Sequence, residues 1–278
     1  MIPTYLYFFV YALLGLIVGS FLNVVILRRG ARGVGGRSGC LSCGAALSWY
    51  DLIPVVSWFA LKGRCRACGT RISIQYPIVE ATTALLFGLV GMMPMPLPLS
   101  LLALAICAML VLISAYDILH TIIPDEWVYT FIVLCVVSSL SFMFSHSDNG
   151  NLWSFVVAGP VAAAPLFLLW AVSRGHWMGF GDVKLSLGIG WLVGLDRGFI
   201  AVFLAFVIGA FVSVCILIPF QYLSERYWHP GGITRLVNRS STLTMKSEVP
   251  FGPFLIASCL LVWMLGIYGI AIPFLNFS

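Results

Sequence analysis

Long uncharged apolar runs separated by short polar breaks fill most of the chain, and the runs are too continuous for half-buried strands or for helices around a water-soluble core. The first run, Met1 to Leu27, carries no charge and ends at Arg28-Arg29; with neither a basic lead-in nor a small-residue cleavage site it predicts a retained span, not a removable signal. Residues 81–116 are also uncharged but exceed the roughly 20 residues one crossing needs. Pro94, Pro96 and Pro98 interrupt that run near its middle, so it reads as two spans joined by a turn. Further spans are expected at 127–145, 152–173, 183–195, 198–222 and 250–274. The 183–195 run is short, and it crosses only with Asp182 and Lys184 at the membrane edge and the lysine reaching outward. The pattern predicts an all-α polytopic membrane protein of about eight transmembrane helices.

Two polar insertions, 28–76 and 223–249, divide the chain. The expected organisation is a first transmembrane helix at 1–27, a small module at 28–76, and a membrane core at 77–278 with a loop at about 223–249. Loops rich in Lys and Arg stay cytoplasmic. Eight spans with the N-terminus outside place all but one of the 15 Lys and Arg residues on the inner side, Arg197 being the exception. A missed span would reverse every later loop and spoil that asymmetry. Both termini, the 91–98 turn and the 146–151 turn are therefore expected outside. Composition agrees: hydrophobic residues make up 61% of the chain and charged ones 9%, so lipid is the solvent for most of it. The net charge of +5 follows from this topology and calls for no nucleic-acid partner.

The 28–76 insertion holds Cys40-Leu-Ser-Cys43 and Cys65-Arg-Ala-Cys68, each pair followed by a glycine. Two tight turns that each supply two thiolates are the zinc-ribbon arrangement, a closed four-sulfur site with no open position for a substrate water. Structural zinc on Cys40, Cys43, Cys65 and Cys68 is the expectation. Thiol–disulfide exchange is the competing chemistry, and it belongs to the oxidising side of a membrane, whereas the arginines put this loop in the cytoplasm. Cys107, Cys135, Cys215 and Cys259 lie within spans, where cysteine serves as a small buried apolar residue.

Most carboxylates fall in loops and turns, but Asp117, Asp182 and Glu80 do not. Asp117 ends a long apolar run in Tyr116-Asp-Ile-Leu-His-Thr-Ile-Ile-Pro-Asp125, and Asp182 lies in Gly179-Phe-Gly-Asp-Val-Lys184 on the same, inward-facing side. An ionisable group at membrane depth is a functional hypothesis by default. Two carboxylates brought together cannot both ionise easily, so one keeps its proton and the pair offers an acid and a base at once. That suffices to activate water against a peptide carbonyl without metal or nucleophilic serine. Helix capping by Asp182 is the alternative use of that residue. Glu80 begins the run after Tyr76-Pro77 and reads as a helix-start carboxylate meeting the dipole.

Gly-Phe-Gly-Asp-Val-Lys at 179–184 resembles the GxGD signature of membrane aspartic peptidases, and Asp117 followed by Ile123-Pro124-Asp125 resembles the first aspartate motif of their prepilin-processing branch. Gly19-Ser-Phe-Leu-Asn-Val-Val25, Asp51-Leu-Ile-Pro54, Gly63-Arg-Cys-Arg-Ala-Cys68, Tyr76-Pro-Ile-Val-Glu80 and Pro250-Phe-Gly-Pro-Phe254 are also similar to type IV prepilin peptidases, so the resemblance runs nearly end to end. It implies that Asp117 and Asp182 are a catalytic pair in a bacterial inner membrane. It implies cleavage of the basic leader of prepilins or pseudopilins at the cytoplasmic face, and methylation of the new N-terminus with S-adenosylmethionine. Lys184 and His120 match family positions. No glycine-rich methyl-donor fold is recognisable in 28–76, so the methyl transfer rests on the resemblance. A peptidase without methyltransferase activity, a proton-coupled transporter and a zinc-bearing scaffold are the alternatives that the residues leave open.

Overall fold

The structure, a computed structural model, describes residues 4–29, 36, 38–145, 152–217 and 250–269. The 146–151 turn, the 223–249 loop and both chain ends lie outside the described residues, so the expectations placed on them stay as expectations.

Helices and short turns account for the described residues, with two isolated bridges and no longer strand among them. The chain forms two compact units, Met1–Asn151 with Ile267–Ile270, and Leu152–Gly266 with Ala271–Ser278.

The first unit holds α1 (Thr4–Arg28), α2 (Val56–Ala60), α3 (Gln75–Gly91), α4 (Leu97–His120) and α5 (Asp125–Ser145). The uncharged 81–116 run does split, at Met92–Pro96 between α3 and α4, where the prolines were expected to break it. Pro98 then falls inside the first turn of α4, where no intrahelical N–H is required of it. Helix α3 begins earlier than the apolar run suggests, because Pro77 is tolerated in its first turn and Tyr76 packs as an apolar ring.

Helices α1 and α3 touch backbone to backbone. An added Cβ at Gly15 would sit 2.6 Å from Ala84 Cα, and one at Gly19 would sit 2.7 Å from Glu80 Cα. This is the small-residue seam of membrane helix pairs: in lipid, packing is what draws helices together, and glycines let backbones approach. The opposite face of α1 shows Tyr5, Phe9, Leu13, Ile17 and Phe21, all more than half exposed and spaced by four residues. A helix with one face in a glycine seam and the other bare and apolar is suited to lipid.

The second unit holds α6 (Leu152–Ser173), α7 (Phe180–Val193), α8 (Leu195–Val212) and most of α9 (Gly252–Ile267), with a π-helical turn at Ser213–Leu217 extending α8. Helix α7 has 14 residues, and its Leu185, Ser186, Ile189 and Gly190 are buried. Small residues seat it: an added Cβ at Gly190 would meet Ala158, Gly159 and Ala162 of α6, and one at Gly198 would lie 3.0 Å from Gly190 Cα. Gly194, at φ 89°, turns the chain directly from α7 into α8. The two helices thus start three residues before the expected 183–195 and 198–222 spans, the end of the second lying outside the described residues. Phe206 and Phe251 pack 4.8 Å apart between α8 and the start of α9.

Five helices, Thr4–Arg28, Leu97–His120, Asp125–Met143, Leu152–Ser173 and Leu195–Cys215, are long and apolar enough to cross a membrane. The chain is therefore a polytopic helical membrane protein. Helices α3, α7 and α9 are shorter, at 17, 14 and 16 residues.

Candidate active site and metal centre

The two Cys-x-x-Cys-Gly segments fold into the same turn twice. Cys40 N–H donates to Ala45 O at 2.9 Å and Gly44 N–H to Cys40 O at 2.9 Å; Cys65 N–H donates to Thr70 O at 2.8 Å and Gly69 N–H to Cys65 O at 2.9 Å. Gly44 and Gly69 share φ 71°, the left-handed region that favours glycine, which is why each pair needs its following glycine. Bridges at Gly39–Ala46 and Arg64–Arg71 close the base of each turn.

The turns face one another, and all four sulfurs lie within 4.8 Å of each other. Cys40 Sγ and Cys68 Sγ are 3.8 Å apart, too long for a disulfide and close to the edge of a tetrahedron with metal–sulfur bonds of about 2.3 Å, roughly 3.8 Å. The group can hold one metal ion. The thiols are unequal. Cys68 is held down to about 6, first by the Thr70 side chain, 3.2 Å from its sulfur, and then by the Thr70 backbone. At Cys43 the Ala45 backbone favours the thiolate, but the sulfurs of Cys68 and Cys40 outweigh it and push the thiol up to about 11.

Two ties fix this ribbon. Arg66 donates to Asp51 Oδ1 from Nε at 3.0 Å and from a terminal nitrogen at 2.9 Å, with its guanidinium 5.0 Å from the Tyr50 ring. Trp58 donates to Ile72 O at 3.3 Å and lies flat against Gly63, where a Cβ would come within 2.8 Å of its ring.

A third tie was not visible beforehand. Glu80, expected to start a helix and meet its dipole, lies one turn into α3 and is buried; its carboxylate accepts the Val55 N–H at 2.7 Å and a hydrogen bond from Ser20 of α1. Val55 stands at φ 61°, a costly conformation for a β-branched residue, held where its N–H points at that carboxylate. Glu80 thus fastens the ribbon to the α1–α3 pair. Asn23 adds to the seam, 1% exposed and donating to Tyr76 O at 3.2 Å. The Gly19–Val25 and Tyr76–Glu80 motifs both point into this contact, a signal present in the sequence without a role attached to it.

Asp117 lies in the last turn of α4 and is 4% exposed. The helix stops four residues later at Thr121, in the left-handed region at φ 53°, with its N–H returned to Asp117 O at 2.8 Å. Around this terminus His120 stacks on Tyr116 at 4.3 Å, and Trp127 meets Tyr116 edge-on at 5.0 Å. Arg29, just beyond α1, covers Trp127 at 4.3 Å and reaches Glu126 at 3.4 Å. Asp125 opens α5 after Pro124, in the turn where a negative charge complements the helix dipole.

In the second unit, Asp182 is 7% exposed and is the third residue of α7. Gly179, in extended backbone, takes the N-cap position, and Asp182 stands in the first turn that follows. Lys184 Nζ lies 5.2 Å from the Phe180 ring. The structure brings Cys40, Cys43, Cys65 and Cys68 into one cluster; Asp117 and Asp182 are each buried in a different unit.

Comparison with known proteins returns two family matches, the Bacterial Peptidase A24 N-terminal domain over residues 13–93 and the Type IV leader peptidase family over residues 104–214. Relatives carry the name prepilin leader peptidase/N-methyltransferase. That of Pectobacterium carotovorum subsp. carotovorum is 32% identical over 207 residues, 64% of this chain and 72% of its own length. That of Bacillus subtilis (strain 168) is 28% identical over 256 residues, 91% of this chain and 92% of its own. That of Myxococcus xanthus (strain DK1622) is 57% identical over 76 residues, 27% of this chain and 23% of its own. No solved structure matches the chain.

Proposed function

The chain belongs to the type IV leader peptidase family, and from that premise we infer that Asp117 and Asp182 are the acid–base pair of its peptidase site. It is a membrane endopeptidase that removes the leader of type IV prepilins and N-methylates the product. The observation that carries the assignment is burial. Glu80, Asp117 and Asp182 are the buried acidic residues among the described ones; Glu80 is accounted for by its tie to the ribbon, and the Asp51 carboxylate, 7% exposed, by Arg66.

One aspartate, ionised, takes a proton from a water whose oxygen attacks the scissile carbonyl carbon. The other, protonated, gives its proton to the carbonyl oxygen; as the C–N bond breaks, the departing nitrogen receives the proton first taken from water and the second aspartate takes its own proton back from the former carbonyl oxygen. No covalent enzyme intermediate forms. The eight helices then span the bacterial inner membrane with both termini outside, so that Asp117, Asp182 and the ribbon face the cytoplasm and the prepilin's apolar stem lies in the bilayer. Cys40, Cys43, Cys65 and Cys68 would hold zinc as a closed four-thiolate site that keeps the ribbon shut and leaves no open position for a substrate water. S-adenosylmethionine, when bound, would supply an electrophilic methyl group to the new amine nitrogen.

Cleavage of a prepilin by the full chain in nanodiscs tests the pair. Asp117→Asn and Asp182→Asn should each lower the rate by at least a thousandfold, and the double variant should be little worse, because groups acting as one unit are strongly non-additive. A properly inserted single variant that cleaves at near the unmodified rate refutes the assignment.

A further inference from the structure

The ribbon does not sit flush on the membrane helices. Between it and the cytoplasmic ends of α1 and α3 lies a cavity of about 660 Å³, inside the range of small-molecule sites and wholly within the first unit. We propose that this cavity binds the methyl donor, an adenosyl sulfonium amino acid. The inference rests on the methyltransferase reading above and assigns that activity a place.

The lining suits such a molecule in three respects. Glu80 and Asp51 both line the cavity, and both are held by partners that leave lone pairs to spare: Val55 N–H and Ser20 on Glu80, Arg66 on Asp51. Glu80, held only by neutral donors, suits a sulfonium or an ammonium, whereas the Asp51 charge is already met by Arg66. Trp58 and Tyr76 add ring faces, on which an adenine can stack and a sulfonium methyl can rest. Gln75 supplies the third feature. It lines the cavity, and its Nε2 is buried with no hydrogen-bond partner, a donor that a turn of the side chain would bring to a ligand carboxylate or adenine nitrogen.

The wall also carries Arg66 and Arg71. Cations beside carboxylates fit a zwitterion, and they disfavour the basic leader peptide as the occupant. The strained Val55 fits the same reading, because its N–H fixes the Glu80 carboxylate instead of leaving it to swing. Glu80 thus joins two tasks, fastening the ribbon and presenting a negative charge to the space beneath it.

The test uses the full chain in nanodiscs with tritiated S-adenosylmethionine, crosslinked by ultraviolet light and mapped by peptide analysis, alongside equilibrium binding. Label should fall on peptides containing Trp58 or Tyr76 and disappear with excess S-adenosylhomocysteine. Glu80→Gln, which can still accept from Val55 N–H, should weaken binding at least tenfold, and Ser57→Trp, which fills the cavity from its wall, should abolish it. Zinc content and circular dichroism report whether each variant is folded, and the map on the unmodified chain decides the matter even where a variant is not. Label confined to residues 152–269, or unchanged affinity in both folded variants, overturns the proposal. If the chain methylates cleaved pilin while the label maps elsewhere, the cavity assignment alone falls; if it neither binds the donor nor methylates, the methyltransferase reading falls with it.

Discussion

Replacing Gly19 by alanine probes the seam that carries the ribbon. The new Cβ would stand 2.7 Å from Glu80 Cα and 3.2 Å from Thr83 Cβ and Oγ1. Carbon atoms rest at about 3.5–4.0 Å, so α1 and α3 must part by about 1 Å or rotate. Neither backbone can yield cheaply, since the clash is with a main-chain atom and not with the end of a flexible side chain. Overpacking of this kind costs about 1–3 kcal/mol. That is a factor of about 5 to 150 in the folded-to-unfolded ratio. For a chain of this size it corresponds to a fall of about 2–12 °C in apparent Tm in mild detergent. Phe21→Ala, two residues along and on the exposed face, is the control and should change Tm by less than about 2 °C. Combining Gly19→Ala with Thr83→Ala should recover little of the loss, because Glu80 Cα and the Cβ of residue 83 both stay in place. An unchanged Tm for Gly19→Ala in protein purified and measured beside the control would show that the helices are not in backbone contact there.

The remaining expectations concern the ribbon and the turn after α4. Zinc should purify near one per chain and be lost in the Cys40→Ser/Cys65→Ser variant, as metal analysis would show; an intramolecular disulfide without metal after reducing purification would reverse the reading. In metal-free protein at pH 7, Cys68, lowered to about 6, is mostly thiolate, whereas Cys43, raised to about 11, is almost entirely thiol. Allowing for the weaker nucleophilicity of the more acidic thiol, pulse alkylation should label Cys68 about 30- to 100-fold faster. Its rate should fall as pH drops through 6, because the lowered group is reactive above its pKa and protonated below it; equal rates at both sulfurs count against the inequality. Asp125→Asn should lower prepilin cleavage far less than Asp117→Asn does, since Asp125 serves the first turn of α5; equal losses would place it in the catalytic group.

What could be read in advance was whatever depends on near neighbours in sequence. Uncharged runs and the prolines at 94–98 located the helices because lipid tolerates little else, and the twin Cys-x-x-Cys-Gly segments fold alike because each turn closes on its own backbone. Both aspartates stood out because a carboxylate at the end of an apolar run has few ordinary uses. The Glu80–Val55 tie was illegible: its partners are 25 residues apart, and no local pattern announces a valine at φ 61°. The start of α7 was placed late because Phe180-Gly-Asp reads as a polar approach to a helix, yet Gly179 in extended backbone lets the helix begin there. The α1–α3 seam was present as Gly15 and Gly19, but spacing does not say which helix the glycines meet.

The brevity of α7 has a bearing on where hydrolysis can occur. Fourteen residues rise about 21 Å, some 9 Å less than the hydrocarbon thickness of a bilayer. Much of α7 is enclosed by protein, so the shortfall is not made up by lipid sliding in to cover its ends. On the topology proposed above, a helix this short amid longer neighbours would leave a dimple floored by its own first turn, which contains Asp182. Reagent water would then need no tunnel through the protein to reach that carboxylate.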